Sequence, residues 1–317
     1  MSISADDAKL QQIDVDKIIP NKENPRLVFR SGELDELQES IRTFGVQVPI
    51  AVYKDKGRFV LIDGERRWRC CLKLNKPTIP ALIQKKPGPL ENLLLMFNIH
   101  ALREQWDLLT IAIKLPDVIK LLKTELERTP TEAEISEKTG LKRGVIRRCK
   151  LLMNLPEKYR EQILVELEKP KSKQRFTEDL FIELERALTT VERALPEVIP
   201  DRDAVRKILL KKFKNGVIDN RVLFRDMAKI ARAEKVGGDI TVAVRELRKL
   251  FSDNSYKIES AFKNSVEEAY AERDIGTRIQ TFIGLLEDLE VDEIDAKIKK
   301  DLEDLVERVR EFLRGAA

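Results

Sequence analysis

The run Ile62-Asp63-Gly64-Glu65-Arg66-Arg67-Trp68-Arg69 gathers a glycine, two carboxylates and three guanidinium groups in consecutive positions. Those types at that spacing suit a polyanion. Backbone N–H groups at a helix start are electropositive and point at a ligand, and arginines fork onto phosphate oxygens. Gly64, Glu65, Arg66 and Arg67 are the candidate contacts, and the alternative is an ordinary solvated first helical turn. A second group of residues that could do chemistry lies between Thr131 and Leu152. Arg143, Arg147 and Lys150 fall on one helical face with Arg148 beside them and Lys142 just ahead, and Ile146, Cys149 and Met153 fall on the other. No acid interrupts the chain between Thr139 and Asn154. A buried face opposed by a basic one is what a helix needs to read a DNA major groove. The competing reading is a charged surface helix in an all-α bundle.

Elements must position both groups. Arg58 to Ile62 is apolar after its first residue and predicts a strand, so the first motif sits at a strand-to-helix junction, with the helix over 65–74. Thr131 and Glu134 form a capping box, and Ser136 lies four residues before Gly140, a spacing that suits a tight helix-turn-helix. Further strands are expected at Ile13–Ile19, stopped by Pro20, at 48–53 and at 79–83. A helix is expected over 33–44, ended by Gly45. After Leu90 the pattern is helical, with one helix over 91–102 and a longer one over 108–126 that Pro116 should kink or break. Lys169 to Arg175 is a basic, proline-containing connector. The last helix spaces Ile294, Ile298, Leu302, Leu305, Val309 and Phe312 three or four apart, a stripe that fits either intramolecular packing or a dimer seam.

Composition bounds the rest. A chain of 317 residues accommodates two or three domains, and 42% hydrophobic residues supply real cores. The 36% charged share with only 6% aromatics favours long solvated helices. A net charge of +4 means that any nucleic-acid affinity must come from local patches. Cys70, Cys71 and Cys149 lack metal-ligand spacing and fit a reducing cytosol. His100 is the sole histidine, which removes most histidine-based zinc and Ser-His-Asp chemistry. No apolar stretch approaches the roughly 20 residues that span a bilayer, and a basic-then-apolar leader is absent from the first residues, so a cytoplasmic protein is expected.

The order of segments resembles a known family. Asn24-Pro25-Arg26, then Leu37-Gln38-Glu39-Ser40-Ile41 with Gly45 and Pro49-Ile50, then Gly64 to Arg69 resemble the N-terminal domain of ParB-type (ParB/Noc-like) partition proteins. The helix-turn-helix and its closing Leu151-Leu152-Met153-Asn154-Leu155-Pro156 resemble the ParB central DNA-binding domain. The resemblance implies an α+β protein: a small mixed ParB/sulfiredoxin-like domain over 13–103 behind a tail (1–12), and an all-α helix-turn-helix domain over 104–168. The basic linker (169–175) and a helical region (176–317) for dimerisation or partner binding complete the expected layout.

By resemblance the function is a homodimeric clamp on double-stranded DNA, controlled by CTP or another nucleoside triphosphate, in plasmid or chromosome partition. Arg26, Gly64, Glu65, Arg66, Arg67, Asn98 and Arg103 would hold the nucleotide. Lys142, Arg143, Arg147, Arg148 and Lys150 would meet DNA. Phe97 stands where the family has a metal-binding Glu and Arg103 comes late, so Asn98 alone remains for Mg²⁺, and at most a slow CTPase is expected. Residues 1–12 lack the usual peptide for a ParA-type ATPase. The alternatives are a transcriptional regulator of this fold without nucleotide switching, or a ParB/sulfiredoxin-fold enzyme.

Overall fold

The computed structural model describes residues 9–21, 24, 31–98, 106–289 and 294–315. The chain folds as two compact units, 1–186 and 187–317. The first unit begins with a five-stranded mixed sheet. The strands are β1 (Lys9–Asp14), β2 (Ile18–Ile19), β3 (Ile50–Asp55), β4 (Arg58–Asp63) and β5 (Thr78–Gln84), in the order β1-β5-β3-β4-β2. The β1–β5 and β3–β4 pairs are antiparallel, and β3–β5 and β2–β4 are parallel. The single strand expected over Ile13–Ile19 is two, because Val15–Lys17 makes a 3₁₀ turn that buries Val15 and moves the chain from one sheet edge to the other.

Helices α1 (Ser31–Phe44) and α2 (Glu65–Lys73) pack together over one face of this sheet. Ile13, Ile50, Val52, Leu61, Cys70 and Ile79 are among the residues they enclose. Each such aliphatic side chain contributes about 1.5–3 kcal/mol by leaving water. Trp68 lies partly buried against this core, and its Nε1 donates to the Val15 carbonyl at 3.2 Å. Helix α3 (Pro89–Met96) packs on β4 and continues helically through Phe97 and Asn98; the rest of the helix expected over 91–102 falls among residues 99–105, which include His100 and lie outside the described ones.

The rest of the first unit is helical: α4 (Leu108–Leu126), α5 (Glu132–Thr139), α6 (Arg143–Met153), α7 (Glu157–Leu167) and the start of α8 (Glu178–Ala194). Pro116 does not break α4. An interior proline costs about 3 kcal/mol, but Leu115, Val118 and Leu122 around it are fully buried and together return more than that. Leu152, not Met153, completes the buried stripe of α6 with Ile146 and Cys149.

In the second unit, α9 (Arg202–Lys214), α10 (Phe224–Ile230), α11 (Ile240–Ser252) and α12 (Ile258–Lys263) enclose Leu209, Met227, Leu247 and Ile258. Lys212 is buried among them, and its Nζ donates to the carbonyls of Leu250 (2.6 Å), in the last turn of α11, and Tyr256 (2.7 Å), in the connection to α12. The last helices, α13 (Glu267–Glu287) and α14 (Ala296–Gly315), bury no residue of their own. Among the described residues no helix is long and apolar enough to cross a membrane.

Candidate functional site

Strand β4 ends at Asp63, and the ladder shifts by one residue between Ala51 and Val52, a bulge beside the strand end. Gly64 then turns the chain into α2 with φ +96°. A Cβ at Gly64 would stand 2.5 Å from Ile50 Cγ2 and 3.1 Å from Arg67 Cζ, so the turn admits no side chain. Trp68 N–H to Gly64 C=O, at 3.0 Å, is the first bond of the helical ladder. The N–H groups of residues 65–67 precede it, and Gly64 at the N-cap has no side chain to bond them, a feature that suits a helix N-terminus facing an anion.

The side chains around this turn are already engaged with one another. Arg67 donates to the carbonyls of Val48 and Pro49 (both 2.5 Å) and pairs with Asp63 (3.0 Å), which ties the loop before β3 to the start of α2. Glu65 accepts from Asn24 (2.5 Å) on one oxygen and from Arg69 (2.9 and 2.6 Å) on the other. Arg66 is half-buried. Asn21 and Asn92 are buried and joined at 3.1 Å. Burial pushes the Cys70 and Cys71 thiols up, against the pull of neighbouring cations.

Of the other expected pocket residues, Arg26 and Arg103 lie outside the described ones. Asn98 is exposed, and its amide donates to Leu94 C=O of its own helix at 2.9 Å. Phe97 is fully buried, edge-on to Trp106 at 5.4 Å. Among the described residues the expected pocket offers little to Mg²⁺: Phe97 has no oxygen, and Asp63 and Glu65 are paired with arginines. Among the described residues no group of three His, Cys, Asp or Glu could hold a metal.

The second constellation is the α5–α6 pair. The capping box forms as expected: Glu134 N–H donates to Thr131 Oγ1 (3.3 Å) and Thr131 N–H to Glu134 Oε2 (2.8 Å). Arg128 adds two bonds to the same carboxylate, and these contacts bring Glu134 down to about 2. Gly140 turns the chain at φ +73°, and Ser136 Oγ closes the turn on Leu141 C=O at 2.6 Å. Ser136 therefore acts as a hydrogen-bond staple across the turn.

Lys142, Arg143 and Arg147 are exposed, and Lys150 and Arg148 are half-exposed. The basic face is not free of acids, and this corrects the sequence reading. Glu132 of α5 accepts from Arg147 Nε (2.9 Å) and Lys150 Nζ (3.0 Å), bonds that lower its pKa, and Asp179 of α8 pairs with Arg148. Beside that pair, Glu178 accepts from Leu109 N–H at the start of α4 (2.6 Å), and burial raises it to about 7. Burial likewise raises Cys149 to about 12. Glu132 and Asp179 carried no local signal, since they lie 15 and 31 residues from the arginines they meet.

Residues 2–94 match the family model of the ParB N-terminal domain. The chain is 32% identical over 158 residues to a nucleoid occlusion protein of Geobacillus kaustophilus, covering 49% of this chain and 53% of that protein. It is 34% identical over 152 residues to a probable chromosome-partitioning protein ParB of Campylobacter jejuni, covering 48% and 52%. The chain thus spans about half the length of these curated relatives. A solved structure of C-terminally truncated ParB from Caulobacter crescentus, complexed with CTP-gamma-S, is 24% identical with a TM-score of 0.29, covering 56% of this chain and 97% of that one.

Proposed function

We propose that this chain, whose residues 2–94 match the ParB N-terminal domain model, is a ParB-like sequence-specific DNA-binding protein of plasmid or chromosome partition. In this reading α5 and α6 are a helix-turn-helix, and α6 is the reading helix. The observation that carries it is the geometry of α6: Ile146, Cys149 and Leu152 buried behind, and Lys142, Arg143 and Arg147 exposed in front. Cations on such a face neutralise phosphates, and one well-placed arginine fork reads a guanine edge. Selection of duplexes from a random pool tests it. Recovery of a defined site is expected, with Arg147→Ala weakening that site by about 1–3 kcal/mol relative to scrambled DNA. Recovery of no site refutes it.

The same reading assigns a nucleoside triphosphate, CTP first, to the start of α2 beside Arg66. The chain's contribution there is binding and orientation, by backbone N–H groups and a guanidinium. Titration calorimetry with CTP, ATP and GTP, with and without Mg²⁺, is the test. Binding that Arg66→Ala abolishes is expected, and no binding of any nucleotide refutes this half. Buried Phe97 and the Asn98 amide laid back on its own helix favour a second reading, a transcriptional regulator of this fold without nucleotide switching. It is distinguished by DNA crosslinking that does not change with nucleotide.

A second copy of the chain is the occupant proposed for α14. Ile298, Leu305, Val309 and Phe312 are exposed at coiled-coil spacing. Antiparallel pairing in that register sets Asp301 of one copy against Arg308 of the other, twice by symmetry. Light scattering should give a dimer for the wild type and a monomer for Leu305→Glu, and a monomeric wild type refutes this assignment.

A further inference from the structure

We propose that Glu132 is a positioning residue for DNA discrimination: it orients Arg147 toward a base edge and penalises contacts that involve phosphate alone. The proposal rests on the DNA-binding reading above and goes beyond it. Glu132 is the first residue of α5, immediately after Thr131 of the capping box. Its backbone is therefore fixed by the reciprocal Thr131–Glu134 bonds and by Arg128 on Glu134. From that anchored point its two oxygens diverge, Oε2 to Arg147 Nε at 2.9 Å and Oε1 to Lys150 Nζ at 3.0 Å. Both cations project from the same face of α6, three residues apart.

Two physical consequences follow from this geometry. A guanidinium bound through Nε keeps its two terminal amino groups as a fork, the arrangement that matches O6 and N7 of guanine end-on. The Arg147 side chain is 66% exposed, so the fork is accessible, yet its stem is held by a carboxylate whose backbone is anchored by the capping box. Less rotamer freedom then remains to be lost on binding. Secondly, a carboxylate embedded in the basic face opposes the phosphate backbone wherever the protein lands. On the right site the oriented fork compensates for that repulsion; on any other sequence nothing does. The same residue thereby raises the specific complex relative to the non-specific one.

The experiment uses the full chain, a duplex selected from a random pool by the wild type, and a scrambled duplex of equal length. Glu132→Gln removes the charge and keeps the shape. It should bind the scrambled duplex about fivefold more tightly at 0.15 M salt, with a salt slope steeper by about 0.9, because one fewer anion faces the phosphates. Affinity for the selected duplex should rise less or fall, so that the ratio of the two drops at least threefold. Glu132→Asp keeps the charge but shortens the reach. It should leave scrambled binding unchanged and still lower the ratio, which separates positioning from charge. Equal shifts on both duplexes in Glu132→Gln, with Glu132→Asp behaving as wild type, overturn the proposal and leave the DNA-binding reading intact. If the wild type selects no sequence at all, the DNA-binding reading fails and this one with it. Matching unfolding midpoints for the three proteins confirm that the comparison is between folded chains.

Discussion

Gly64→Ala offers a measurement whose size follows from the coordinates. At φ +96° an L-residue costs about 1–2 kcal/mol from the left-handed backbone alone. The new methyl would also lie 2.5 Å from Ile50 Cγ2 and 3.0 Å from Ile50 Cβ. Ile50 is fully buried and β-branched, with χ1 restricted and close-packed neighbours around it, so it has little room to swing aside. Overpacking of that kind costs about 1–3 kcal/mol, and the total expected loss is about 2–5 kcal/mol. Gly45→Ala is the internal control: φ is +73°, but nothing lies within 4 Å of its Cβ, so only the backbone cost of about 1–2 kcal/mol applies. Urea unfolding followed by tryptophan fluorescence reads both, since Trp68 packs on the affected core. In the double variant with Ile50→Ala, the Gly64→Ala penalty should shrink by more than about 1 kcal/mol, because the clashing Cγ2 is gone. If Gly64→Ala costs no more than Gly45→Ala, or shows no coupling to Ile50, the steric account of the β4–α2 turn is wrong.

Three further outcomes are expected. Glu178 titrates near pH 7 when folded and near 4.5 when unfolded, so the folded chain holds the extra proton between those values. Its contribution is full below pH 4.5 and lost as pH rises to 7; Glu178→Gln, which can still accept from Leu109, should remove that slope and add about 1–3 kcal/mol above pH 7 in denaturant titrations. Burial lowers Lys212 to about 8, so its contribution is present above pH 10.5 and is lost as pH falls to 8. A urea midpoint that rises between pH 8 and 10, and a flat one in Lys212→Met, would show this. Thr131→Ala should destabilise α5 by about 1 kcal/mol, seen as faster amide exchange at the first turn with the end of α5 unchanged.

What was legible in the sequence was local. The strand-to-helix turn at Gly64, the capping box of Thr131 and Glu134, and the buried stripe of α6 are all set by residues within one or two turns of each other. Propensity and periodicity act over that range. What was hidden was non-local or required a sum over the core. Arg67 reads as a phosphate ligand from its neighbours, yet it reaches back 18 and 19 residues to the Pro49 and Val48 carbonyls. Pro116 reads as a break until the packing of α4 is weighed against it. Lys212 lies in a lysine-rich helix with no local signal of burial, and only the fold places its ammonium on the carbonyls of Leu250 and Tyr256.

The acids folded over α6 change how its cations should be counted. Sequence assigns five to the surface: Lys142, Arg143, Arg147, Arg148 and Lys150. In the structure three are paired, Arg147 and Lys150 with Glu132 and Arg148 with Asp179. Lys142 and Arg143 have no ion-pair partner among the described residues. A paired cation that meets DNA exchanges one anion for another and releases fewer counterions than a free one, so its share of non-specific affinity is small. Lys142 and Arg143 should therefore carry most of the salt dependence, while Arg147 carries discrimination. Salt titrations separate the two roles. Lys142→Ala and Arg143→Ala should each flatten the slope by about 0.9 on any duplex, whereas Arg147→Ala should leave the slope nearly unchanged and erase the preference for the selected site. Equal slope losses for Arg147 and Arg143 would mean that the pairing with Glu132 does not persist in solution.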